Sequence, residues 1–236
     1  MPHIEPKRYA VVSCHVERPL DDRAWAAFAR IQEDRPGGFA IAALLRPPDP
    51  GAGEPEEPWL ERARAAAARG PLGHHTHWTS PSHARPTGGD PAERVRREGA
   101  WLREQGLRPT LFCGGGWYTD DGVRAAAAEL GYADCTSREG APLRDGDLVE
   151  LPTTRSVGQL ARGVLGRLDE PVVHVYFHDT DLLHAGRRSS LVAALHLLGR
   201  RRAPSDPDRV AALIGADADV VPFAVVARGE ASDSHQ

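Results

Sequence analysis

Short apolar, β-branched runs alternate with helix-patterned stretches along this chain from Tyr9 to Val226, with no linker-like segment between them. A chain built that way joins its strands by helical crossovers, which leaves them parallel in an open sheet or a barrel. The strand candidates are Tyr9 to Cys14, Phe39 to Leu45, Thr110 to Cys113, Tyr132 to Cys135, Leu148 to Pro152, Val172 to Phe177 and Val220 to Val226. Helices are expected from a cap at Asp21 or Asp22 to about Gln32, from Trp59 to about Arg69, and from the Asp90-Pro91 start to about Gln105. Three more run from Asp120 or Asp121 to Gly131, from Ser189 to Arg202 and from Val210 to Ile214. At 236 residues the chain can bury a real core. One α/β domain over residues 1–228 is expected, with a disordered tail at 229–236.

In such folds chemistry gathers at the carboxyl ends of the strands. The polar residues of this chain fall there: His15 and Glu17, a histidine cluster, Cys113 to Trp117, Asp134, and His178 with Asp179. Four of the 11 histidines lie within ten residues, in Gly73-His74-His75-Thr76-His77-Trp78 and at His83. His75 and His77 are two apart, so in an extended segment both rings face the same way and their neutral imidazoles can share a metal ion. Net charge is −4, which gives no electrostatic case for a nucleic-acid partner. Met1 to Tyr9 lacks the apolar core of a signal peptide, and no run approaches the roughly 20 apolar residues of a membrane span. Cys14, Cys113 and Cys135 are odd in number and widely spaced, as expected of reduced thiols in a cytoplasmic protein.

These strand ends, in this order, resemble the polysaccharide deacetylases of the NodB type, carbohydrate esterase family four, over roughly residues 9–200. Pro109-Thr110-Leu111-Phe112-Cys113-Gly114-Gly115-Gly116-Trp117-Tyr118-Thr119-Asp120 is similar to the third motif of that family. Glu129-Leu130-Gly131-Tyr132 looks like the helix end before its fourth motif, and Val173 to His178 looks like its fifth. The resemblance implies a distorted (β/α)7 barrel that removes acyl groups from N-acetylated sugars with one divalent metal, zinc being the expected ion. It implies Glu17, His75 and His77 as metal ligands and His178 as the acid, with Asp134 at the fourth-motif position.

The chain also departs from the pattern. Thr79 stands where the distal ligand histidine belongs, so His77 replaces it, or His74 or His83 folds back. The first motif reads Cys14-His15-Val16-Glu17, which puts His15 in the place of the carboxylate base. Cys113 takes the place of an arginine that orients that base, and the two losses are coherent, since an unpaired buried arginine is costly. The expected chemistry is hydrolysis of a C–N amide in a small N-acylated sugar, a nucleotide-linked sugar or a biosynthetic intermediate. His15 serves as base or joins the metal, and His178 is the acid, held in its tautomer by Asp179 or Asp134. Trp78, Trp117 and Tyr118 are candidates to stack on a sugar, and Gly114 to Gly116, centred on Gly115, for an oxyanion nest. The alternatives are a deacetylase-fold protein that binds a carbohydrate or protein partner without turnover, and a metal enzyme acting on an ester or formyl group.

Overall fold

The computed structural model describes residues 8–161 and 170–216, so the expected strand at Val220 to Val226 and the tail lie outside the described residues. One ten-stranded sheet is formed by β1 (Tyr9–Val16), β2 (Ile41–Leu45), β3 (Leu72–Thr76), β4 (Leu111–Gly114), β5 (Ala133–Asp134), β6 (Leu143–Asp145), β7 (Leu148–Glu150), β8 (Arg155–Ser156), β9 (Val172–His178) and β10 (Ala203–Pro204). Seven strands run parallel in the order β7-β5-β4-β3-β2-β1-β9. β8 extends that row beyond β9, β6 closes the other end as an antiparallel partner of β7, and β10 lies along β1.

The connecting helices are α1 (Asp22–Asp34), α2 (Glu56–Ala67), α3 (Pro91–Glu104), α4 (Asp121–Glu129), α5 (Val157–Ala161), α6 (Ala185–Arg201) and α7 (Pro207–Ala216). The expected caps form: Asp21 accepts from the N–H groups of Arg23 and Ala24, Asp90 from Glu93, and Asp120 from Val123. α2 starts at Glu56, three residues before the expected Trp59. Pro58 falls in the first helical turn, where its missing N–H has no intrahelical partner to lose, so it does not mark a boundary.

Alternation along each strand separates two layers. Ala10, Val12, Cys14 and Val16 of β1 pack with Phe28 and Ile31 of α1 and Leu195 and Leu198 of α6. On the opposite, concave face Val11 joins Ala42, Leu44, Leu111 and Cys113, with Val210 and Ile214 of α7 packed against them. Continuing that face toward the carboxyl ends reaches Ser13 and His15 on β1, and His174, Tyr176 and His178 on β9. β3 carries Gly73 inward because there is no room for more: a Cβ would stand 2.5 Å from Leu44 Cδ2 and 3.2 Å from Leu111 Cβ.

The histidine run was not among the expected strands, yet it forms β3, buried at every position between β2 and β4. Its polar character hides the strand pattern because its outward residues find polar partners. His74 Nε2 donates to Glu98 Oε2 of α3 at 2.9 Å, the Thr76 hydroxyl donates to the same oxygen at 3.0 Å, and Arg94 binds Glu98 Oε1 at 2.7 Å.

Candidate metal centre

β1 ends at Val16 and places Glu17 at the rim of the concave face, while β3 brings His75, and just beyond it His77, to the same point. Glu17 Oε1 lies 3.9 Å from His75 Nε2, 3.8 Å from His77 Nε2 and 3.7 Å from His178 Nε2. One ligand atom from each of Glu17, His75 and His77 lies within 4.8 Å of the others. Two ligands about 2.1 Å from one tetrahedral ion stand about 3.4 Å apart, so the spacing is close to that of a shared ion.

The tautomers sharpen this. His75 Nδ1 donates to the Cys113 carbonyl at 2.8 Å and His77 Nδ1 donates to the Pro81 carbonyl at 2.9 Å. Each bond fixes the proton on Nδ1 and turns the Nε2 lone pair toward Glu17. Both Nε2 atoms are buried without a hydrogen-bond partner. Burial also holds His75 below its ordinary pKa, which opposes a second proton there. For Glu17, burial raises the carboxyl, and His75 and His77, then His178, bring it down by more only where their Nε2 atoms carry a proton. An anion faced by two lone pairs calls for a positive charge between them. The donor set of two imidazoles and a carboxylate, with its Nδ1 protons held by backbone carbonyls, fits a divalent ion of the zinc type.

Of the three histidines open to replace Thr79 as a donor, the geometry brings His77 to Glu17. His74 points the other way to Glu98, and His83 lies exposed, bridged to Ser80 in the following loop. Thr79 itself bonds the Arg85 carbonyl in that loop.

His178 sits across from His15 in the β1–β9 register. Its side chain is 31% exposed, and its Nδ1 faces Asp181 Oδ2 at 3.8 Å. Burial lowers its basicity, but the Asp181 carboxylate and Glu17 more than offset that and raise its pKa. The carboxylate facing His178 Nδ1 is therefore Asp181, with Asp179 a weaker electrostatic neighbour that also raises its pKa. Asp179 is buried and accepts the N–H of Arg18 and of Thr180, each at 2.8 Å, which ties the exit of β1 to the exit of β9. Asp134 is buried on β5, where Oδ1 accepts the Thr136 N–H at 2.8 Å and burial raises its pKa. Strand alternation does not single out Asp181, because it does not reach into the 3₁₀ turn over Asp179–Leu183.

His15 is 2% exposed and its Nε2 has no partner. Burial, then His75 and His178, hold its pKa well down, so it stays neutral. Rings surround it: His75 at 4.8 Å, Trp117 at 5.2 Å, Tyr176 at 5.6 Å and His178 at 5.1 Å between centroids. Trp117 reaches this position with φ at +61°, a strained value for a bulky residue. The other two aromatic candidates pack the loop instead. Trp78 is buried and donates to the Gly115 carbonyl at 3.0 Å, with Tyr118 against its ring at 5.4 Å. Gly115 is tightly enclosed, since a Cβ there would meet the Thr76 carbonyl oxygen at 2.4 Å. Tyr176, unremarked in the sequence, was legible as the inward residue between His174 and His178. A cleft of about 430 Å³ opens beside Glu17 and His77, walled by Arg46, Glu54 and Pro81. A second of about 470 Å³ opens beside His178 and Asp181. No helix of the described residues is long and apolar enough to cross a membrane.

No protein-family model matches this chain, and no curated protein matches it in sequence. Solved structures do match in shape. A Mycobacterium smegmatis protein assigned as a polysaccharide deacetylase superposes with a TM-score of 0.65 at 15% identity, covering 92% of this chain and 93% of its own. A 4-alpha-glucanotransferase from Thermococcus litoralis superposes at 0.55 with 13% identity, over 86% of this chain and 40% of its own. A family 4 carbohydrate esterase from Streptomyces lividans follows at 0.46 and 13% identity, over 84% of this chain and 91% of its own. The chain thus has the single-domain fold of a NodB-type distorted (β/α) barrel, with Glu17, His75, His77 and His178 converging at one end of it.

Proposed function

We propose that the protein is a metal-dependent hydrolase that removes an acyl group, acetyl in the simplest case, from an N-acylated sugar or a related small intermediate by hydrolysis of the C–N amide. The observation that carries this reading is the pair of partnerless Nε2 atoms of His75 and His77 turned onto the Glu17 carboxylate. Glu17, His75 and His77 would hold one divalent ion, zinc by donor type, which when bound supplies Lewis acidity toward a carbonyl oxygen and toward water. His178, partly exposed and raised in pKa by Asp181 and Glu17 against burial, holds a proton at Nε2 for the leaving nitrogen. Asp179 positions Glu17 through the next N–H in the chain, and Asp134 braces the β5 end through Thr136. Trp117 and Tyr176, packed ring against ring with the Arg138 guanidinium over both, frame the floor, and the cleft beside His77 takes the remainder of the substrate. The shape likeness to an assigned polysaccharide deacetylase supports a carbohydrate substrate, and three buried unbridged cysteines support a cytoplasmic setting.

One observation favours a second reading, a fold-sharing carbohydrate or partner binder without turnover. His15, in the place of the base, is a poor proton acceptor because burial and two neighbouring imidazoles depress it. Metal analysis of the purified protein, with an assay for new primary amine from N-acetylated sugars, separates the two. One equivalent of metal and chelator-sensitive amine release support the hydrolase. Absence of bound metal, with no amine released at any metal concentration, overturns it.

A further inference from the structure

A second donor set lies deeper on the concave face. The β3–β4 register sets His75 beside Cys113, and β1 brings His15 alongside. A ligand atom from each of His15, His75 and Cys113 lies within 4.8 Å of the other two. All three residues are 2% exposed or less. His15 Nε2 is an orphaned donor-acceptor atom, as is His75 Nε2, while the Cys113 thiol makes a long contact to the Gly114 carbonyl at 3.8 Å. A buried cysteine is usually a small hydrophobe. Two imidazoles beside it, each with a partnerless Nε2, change the chemistry, because a thiolate with two imidazoles is a ligand set for soft or borderline ions and a poor one for magnesium or calcium.

We propose that His15, His75 and Cys113 form a soft-ion site that competes with Glu17 and His77 for the single free nitrogen of His75. His75 Nδ1 is committed to the Cys113 carbonyl, so Nε2 serves one ion at a time. A thiophilic divalent ion, with Cd²⁺ as the probe, enters the deeper set: its bond to sulfur replaces the S–H bond and the proton passes to the buffer, with no change of oxidation state. This rests on the reading of His75 as a metal ligand.

The test is titration of Cd²⁺ into the metal-free full-length protein, followed by the ultraviolet thiolate-to-cadmium charge-transfer band. The band should saturate at one equivalent, vanish in Cys113→Ser, and persist in Cys135→Ser and in Glu17→Gln. In the zinc-loaded protein, Cd²⁺ should release an equal amount of Zn²⁺ to a chromogenic chelator. Cadmium binding without a charge-transfer band, while Glu17→Gln abolishes zinc binding, overturns the soft site and leaves the Glu17–His75–His77 reading standing. No binding of either ion overturns both. Should Cys113→Ser fail to fold by circular dichroism, X-ray absorption of the cadmium-loaded wild type decides: a sulfur scatterer supports the site, and a shell of nitrogen and oxygen alone overturns it.

Discussion

Glu17→Gln should reverse its effect on stability according to whether metal is present. In the metal-free protein the Glu17 carboxylate stands 3.7–3.9 Å from three imidazole Nε2 atoms, two of which present lone pairs. A glutamine amide is nearly isosteric and can donate to those lone pairs, so the metal-free variant should be at least as stable as the wild type. With zinc at about a hundredfold excess over Kd, ligand linkage stabilises the wild type by about 2.7 kcal/mol. At this chain length each kcal/mol moves Tm by about 2–4 °C, so the zinc-dependent shift should be about 5–11 °C. Loss of one of three protein ligands should cut affinity by well over tenfold and remove most of that shift. Differential scanning fluorimetry with chelator and with graded zinc reads both effects on one plate. A full zinc shift in Glu17→Gln, or a metal-free variant clearly less stable than the wild type, refutes the reasoning, since the latter would mean that His75 and His77 already hold protons toward the carboxylate.

His178→Gln should lower kcat for amide hydrolysis by about 10²–10⁴-fold while zinc affinity by equilibrium dialysis stays within a few-fold, as expected for loss of a general acid. Glu98→Ala leaves His74 and Thr76 without their acceptor behind the metal strand. With Arg94 a quarter exposed, urea unfolding should show a loss of about 2–3 kcal/mol. Gly73→Ala should cost about 1–3 kcal/mol by overpacking against Leu44, and Leu44→Ala in the same chain should recover part of it. Burial holds His174 at about 4, against an ordinary histidine value near 6.5. As pH falls the unfolded chain therefore takes up this proton first. The stability contributed by the neutral ring is whole above about pH 6.5 and is lost progressively down to about pH 4, by at most about 3 kcal/mol. His174→Gln should flatten the stability profile in that window, and an unchanged slope would count against this assignment.

The strand–helix alternation was legible because its signals are local: caps at Asp21, Asp90 and Asp120 and apolar runs such as Val172–His178. β3 was not, because its two polar faces are satisfied by partners distant in sequence, Glu98 on one side and the Cys113 carbonyl on the other. Two-residue spacing was enough to bring His75 and His77 forward as a pair, while Glu17 was only one polar residue at a strand end until the family resemblance implied it as a ligand. What spacing does not carry is direction beyond a strand end. That is why Asp181 was passed over beside Asp179, and why Trp78 and Tyr118 joined Trp117 as stacking candidates although they pack the loop. The contact of Cys113 with His75 depends on the β3–β4 register, which no single segment encodes.

The most direct measurement of the central claim is the anomalous signal at the zinc edge from crystals of the zinc-loaded protein. A single peak is expected within about 2.0–2.2 Å of Nε2 of His75, Nε2 of His77 and a Glu17 oxygen. Crystals whose only zinc peaks lie at surface residues more than about 6 Å from these three side chains contradict it.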